Sequence, residues 1–192
     1  MSKNSHMKLT IEQGGPLRSQ HTLPKWHVYQ DRSNDCGPYC VAIVGNTLRD
    51  ASVTDAATLA RSMEHYRRFL LPARISGWAT FPWGIVWAFK RLGIAARWRM
   101  LQSREVLWDN LRRGVVTIVL AGDPFYFHKG HWKGWSHYKI LYSWDIERGW
   151  AFVDPAVRQA PGLSWQEDAS FWQQWSRLGR QVVEVTDSPL MK

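Results

Sequence analysis

Cysteine is scarce in this chain, with two in 192 residues, so no disulfide framework holds it together. No run of about 18 apolar residues occurs, which excludes a membrane-spanning helix. The first residues lack the apolar core of a signal peptide, so the expected location is the reducing cytoplasm, with export by a specialised system as the alternative. There is no collagenous or linker tract, because the 9 Pro and 14 Gly are spread along the chain. No internal repeat is visible. Charged residues are only 21% of the chain and hydrophobic ones 45%, which is ordinary globular usage and argues against disorder.

Two things are abundant. Lys and Arg number 25 against 16 Asp and Glu, a net charge of +9. Such a balance suits acidic partners. The clusters are only pairs, such as Arg67-Arg68, Lys90-Arg91 and Arg112-Arg113, and they fall in or at the ends of helix-like segments where cations complement the dipole. A solvated basic face is the simpler reading, and no nucleic-acid motif is present. The other abundance is 13 Trp, expected in the core or in the walls of a cleft.

The chain divides into a loose arm, 1–25, and one domain, 26–192, of ordinary size. Residues 36–48 read as a buried helix capped by Asp35, with Pro38 in its first turn. Further helices are expected at 54–68 with Thr54 as cap, at 82–92 opened by Pro82 and stopped by Gly93, and at 103–113 capped by Ser103. A loop is expected at 71–81 and a strand at 94–100. The texture then turns to β-formers at 115–120, 138–144 and 150–153, the last two joined by a turn at 145–149. A late helix at 164–175 and a final strand at 181–186 close the chain. Helices first and strands second indicate an α+β fold, with the helical half packed on an antiparallel sheet.

Three local features carry chemistry. Cys36 opens an apolar helix, where the dipole and unpaired N–H groups favour thiolate and can hold an oxyanion. Gln30, six residues earlier, can add a side-chain amide donor. His137, in Gly134-Trp135-Ser136-His137 at the head of a strand, can take the thiol proton and return it to a leaving group. Asp154, in Asp154-Pro155 at the end of the next strand, can fix the tautomer of His137 and stabilise imidazolium. Taken singly, each has an ordinary structural reading: a buried cysteine, a strand-edge histidine, a turn aspartate. Asp145 is the poorer acid, being in the turn at the far end of the hairpin.

In this order, Gln30, Asp35-Cys36-Gly37, His137 and Asp154-Pro155 resemble the papain-like cysteine peptidase superfamily, and within it the bacterial bacteriocin-processing double-glycine peptidases. Pro82-Trp83-Gly84 resembles that family's middle helix, and Gly114 before the apolar run 115–119 resembles its glycine and core strand. The resemblance covers roughly residues 26–187. It implies a papain-like fold and a hydrolase acting on a peptide or protein. Cys36 would be the nucleophile, His137 base then acid, and Asp154 its orienter. Gln30 and the Cys36 N–H would form the oxyanion hole. Gly37 would let substrate approach the helix start, and Trp135 and Trp83 are further candidates for substrate contact. No metal or organic cofactor is implied.

Other readings compete. The same chemistry serves glutamine deamidation or acyl transfer on a protein side chain, as in papain-like bacterial effectors. An inactive binding module would use the basic, Trp-rich surface instead. Cys36, Cys40, His128 and His131 could be assembled as a zinc site, at loose spacing. Segment 123–135, long and aromatic, reads as a lid or recognition loop. Gly14-Gly15 invites self-processing, although Pro16 would be a poor leaving residue. Cys40, one turn after Cys36, reads as buried and inert.

Overall fold

The computed structural model describes residues 17–18, 22–31, 33–68 and 70–189. Most of the expected arm, including Gly14-Gly15, lies outside them. Within it, β1 (Leu17–Arg18) pairs with a later strand, and Leu23 in a short 3-10 turn is fully buried.

The central helix α1 (Cys36–Arg49) is apolar almost all round, so it must be covered on every side. It ends at Asp50 in the left-handed region. Asn46 then holds the returning chain: its Oδ1 accepts from Val53 N–H at 2.9 Å and Thr54 N–H at 3.2 Å. This leads into α2 (Ala56–His65). The helix cap there is Asp55, not the expected Thr54: Asp55 Oδ1 accepts from Thr58 N–H at 2.8 Å.

The expected loop at 71–81 is instead folded into two small hairpins, β2 (Arg67–Arg68) with β3 (Leu71–Pro72), and β4 (Arg74–Ile75) with β5 (Ala79–Thr80). Helix α3 (Pro82–Arg91), strand β6 (Ile94–Arg99) and helix α4 (Arg104–Arg112) follow where the sequence places them.

Two long strands come next, β7 (Val116–His128) and β8 (His131–Asp145). They absorb segment 123–135 as a paired β-arm rather than a loop. After β9 (Gly149–Val153), residues 163–166 form strand β10 (Leu163–Gln166), and only then does α5 (Asp168–Arg177) begin. The expected helix at 164–175 is thus half strand, because the edge of β9 offers Ser164 and Trp165 a ladder of hydrogen bonds. Strand β11 (Val182–Pro189) ends the fold.

The sheet is antiparallel, in the order β10-β9-β8-β7-β11-β6. β1 takes over from β7 along β8, pairing with Ser143 and Trp144 where β7 has ended at Leu141. Helices α1, α2 and α3 share one core with Ile118, Tyr138, Ile140 and Val153. A second core lies against α4 and α5, and much of the tryptophan is there. Trp150 stacks on Trp108 at 5.9 Å, and Phe171 stacks on Trp175 at 5.5 Å. The sheet is therefore held rigidly between two layers, which fixes any side chain at its rim.

Candidate active site

The site lies where the start of α1 meets the rim of β8 and β9. The first intrahelical bond runs from Tyr39 N–H to Asp35 O, and Pro38 has no N–H. The helix thus supplies no acceptor for the N–H groups of Cys36 and Gly37. Cys36 stands there, 8% exposed.

Asp35 does not cap the helix with its side chain, contrary to expectation. Its Oδ1 accepts instead from Arg74 Nε at 2.9 Å. Arg74 also pairs with Glu64 and is itself only 6% exposed. A guanidinium so buried needs both carboxylates, and its fork offers donors to each. The residue before Cys36 is thereby tied to α2 and to β4. Nothing in the local sequence around Arg74 marks this role.

His137 lies on β8, opposite Ala121. Ile140 pairs with Val153, the last residue of β9, so Asp154, which follows it, emerges beside Lys139 and within reach of His137. The Nε2 of His137 is 2.6 Å from Asp154 Oδ1. Nε2 being occupied, Nδ1 is the ring nitrogen left for Cys36, which also acts on the titration of this ring. Asp154 is held in turn: Oδ1 accepts from Ala156 N–H at 2.8 Å, and Oδ2 from Ser164 Oγ at 3.3 Å. Ser164 is in place only because 163–166 is a strand.

Burial alone would push the His137 pKa down. The hydrogen bond and charge of Asp154, with those of Cys36, outweigh it and raise the value to about 9. Burial pushes the Asp154 carboxyl up, but His137, the Ala156 N–H and Lys139 outweigh that and hold it below the ordinary value. Burial lowers Lys139, whose ammonium donates to Gln166 Oε1 at 2.8 Å.

Gln30 is 9% exposed. Its backbone N–H donates to Pro155 O at 2.8 Å, and the neighbouring His27 Nε2 lies 3.1 Å from Asp154 O. The segment before Cys36 is thus stitched to the corner that carries Asp154. The Gln30 amide donates to Ser33 O at 3.1 Å and keeps a second N–H on the same nitrogen. Its Oε1 is buried without a partner.

A cleft of about 200 Å³ is lined by Gln30, Cys36 and His137, with Trp78, Thr80 and Phe125 among its walls. Gly37 packs under Thr80: a Cβ at Gly37 would fall 2.7 Å from Thr80 Cγ2. Trp135 lines the cleft. Trp83 is not among the lining residues; its ring stacks on Phe81 at 4.4 Å. Cys40 is fully buried, and its Sγ donates to Tyr138 O at 3.4 Å. Burial, with the nearby Cys36 and Asp154, pushes its thiol well up. Among the described residues no three of His, Cys, Asp and Glu converge as a metal ion requires, so the zinc set suggested by spacing is not assembled.

No protein-family profile and no curated protein matches the sequence. Solved structures do match. A C39-like peptidase candidate from Bacillus anthracis superposes with a TM-score of 0.63 at 15% identity, over 85% of this chain and 94% of that one. The peptidase domain of Streptococcus ComA, a bi-functional ABC transporter of a quorum-sensing pathway, superposes with a TM-score of 0.54 at 22% identity, over 83% and 96%. The chain has the papain-like fold of the C39 peptidases. The match spans nearly all of both solved chains. Among the described residues no helix is long and apolar enough to cross a membrane.

Proposed function

We propose that this chain is a cysteine peptidase in which Cys36, His137 and Asp154 form the catalytic triad. The observation that carries the reading is the 2.6 Å contact of His137 Nε2 with Asp154, which leaves the ring's other nitrogen to the cysteine at the start of α1. Cys36 and His137 line one cleft and Asp154 holds His137 by its other ring nitrogen, which supports acyl transfer.

The Cys36 sulfur attacks the substrate carbonyl and the carbon–oxygen double bond opens to an oxyanion. The Cys36 N–H and the second N–H of Gln30 stabilise that oxygen. Imidazolium His137 gives its proton to the leaving amine as the carbon–nitrogen bond breaks, forming a thioester. Neutral His137 then takes a proton from water as its oxygen attacks the thioester, and the carbon–sulfur bond breaks to free the acid and the Cys36 thiolate, with His137 again imidazolium. Asp154 holds the ring in place throughout.

The test is alkylation of Cys36 by iodoacetamide at neutral pH, followed by peptide mapping, in wild type and His137→Ala. Fast labelling that collapses without His137 supports a working pair. Equal, slow labelling in both proteins overturns the assignment. Incubation of the wild type and Cys36→Ala with a peptide library then distinguishes the chemistries by mass. Chain cleavage supports a peptidase, whereas a gain of about one dalton without cleavage replaces that reading with deamidation of glutamine.

A further inference from the structure

The nucleophile is hard to reach. Two aromatic rings from different elements line the cleft that holds Cys36 and touch each other: Trp78 and Phe125, with ring centroids 5.9 Å apart. Neither is a core residue, since Trp78 is 47% and Phe125 39% exposed. Large rings left half in water at the mouth of a site mark a surface that meets something else.

The two elements differ in how they are held. Trp78 sits in the turn between β4 and β5. That turn is pinned to the loop before Cys36, because Asn34 Nδ2 donates to Gly77 O at 2.7 Å. Phe125 rides on the arm that β7 and β8 extend beyond the sheet. The ladder of that arm is interrupted between Asp123 and Tyr126. At its base stand Gly122 at φ 149° and Gly134 at φ 101°, conformations that suit glycine. A Cβ at Gly134 would lie 2.3 Å from Pro124 O, so the two strands cross closely there. The base is latched by Asp123, which accepts from Trp135 Nε1 at 3.0 Å and pairs with Arg177. A second cavity of about 610 Å³ lies beside the arm, bordered by Tyr126, Lys133, Trp135 and Arg177.

We propose that Phe125 and Trp78 form a gate over Cys36, opened by movement of the β7–β8 arm about Gly122 and Gly134. The closed pair excludes bulky groups from the thiol and admits small ones through the remaining opening. A polypeptide enters only when Phe125 lifts from Trp78, so the gate favours a flexible, extended segment over a folded surface. It governs access to Cys36, whichever acyl chemistry follows.

The test compares two reagents on the same thiol: iodoacetamide, which is small, and a polyethylene-glycol maleimide, which is not. Rates at Cys36 are read by peptide mapping in wild type, Phe125→Ala, Trp78→Ala and the double variant. An aromatic contact of this kind shifts an opening equilibrium by about three- to tenfold. Phe125→Ala is expected to raise the maleimide rate by about that factor with the iodoacetamide rate unchanged. Trp78→Ala should do the same, the double variant should add little, and Phe125→Tyr should restore the wild-type ratio. An unchanged maleimide rate in both single variants overturns the gate. Equal acceleration of both reagents also overturns it, because then reactivity has changed and not access. The ratio of the two rates is independent of how readily Cys36 ionises. If Cys36 proves no nucleophile at neutral pH, the same comparison at alkaline pH still decides the gate.

Discussion

His137 and Asp154 face each other from neighbouring strands, Nε2 to Oδ1 at 2.6 Å, with the acid braced by Ala156 and Ser164 and the ring turned toward Cys36. The pair has a direct consequence for pH. The folded value of His137 is raised from its ordinary 6.5 to about 9, so the stability it contributes is fully present below about 6.5 and lost as pH rises through about 9. Urea unfolding across that window should show stability falling with pH. The rate of the proposed peptidase reaction, which needs imidazolium, should fall on the same alkaline limb. Asp154→Asn should bring that limb down toward the ordinary histidine range and cost about a hundredfold in kcat/KM by misplacing the ring. A limb that stays put would separate Asp154 from the titration.

Gly37 and Thr80 form a steric lock beside Cys36. A Cβ at Gly37 would sit 2.7 Å from Thr80 Cγ2 and 2.8 Å from Thr80 Cβ. Gly37→Ala should therefore destabilise by about 1–3 kcal/mol and depress activity. Thr80→Ser in the same chain removes the closer contact and should recover part of the loss. A double-mutant cycle in thermal unfolding measures the coupling, and strict additivity would refute the lock.

Arg74 is the buried cation that serves two carboxylates, Asp35 and Glu64. Arg74→Met leaves both without their cation. The expected cost is about 2–4 kcal/mol, below the full penalty for a buried pair because Glu64 is partly open to water. Since Asp35 precedes Cys36, kcat should fall as well, at a temperature where the variant is still folded. Chemical denaturation and kinetics on one preparation check both effects.

Cys40 should be a bystander in catalysis. It is fully buried with its thiol pushed up, so native protein should show alkylation at Cys36 and none at Cys40. Cys40→Ala should retain activity within about twofold and lose about 1 kcal/mol of stability. Loss of activity in this variant would give Cys40 a place in the mechanism.

Much of the fold was legible because it is written in local patterns. The apolar run from Cys36, the proline opening α3 and the β-rich stretches after Gly114 each announce their element. The differences came where a tertiary partner outbid a local preference. Asp35 has the chemistry of a cap, yet buried Arg74 claims its carboxylate. Residues 163–166 carry enough apolar pattern to extend α5, yet the open edge of β9 pairs them as a strand. Segment 123–135 looks like a loop by composition, yet the long β7–β8 ladder carries on through it.

The candidate site divides the same way. The amino-acid sequence by itself determined that a cysteine stands at the head of a buried helix, that a glutamine precedes it, and that a histidine and an aspartate follow in that order, because helix starts and strand ends are set by neighbouring residues. Only the tertiary structure decided that Asp154 meets His137, that Arg74 braces the residue before Cys36, and that Trp78 and Phe125 close over the cleft. Those contacts depend on strand register and on packing between distant segments, and no local propensity encodes either.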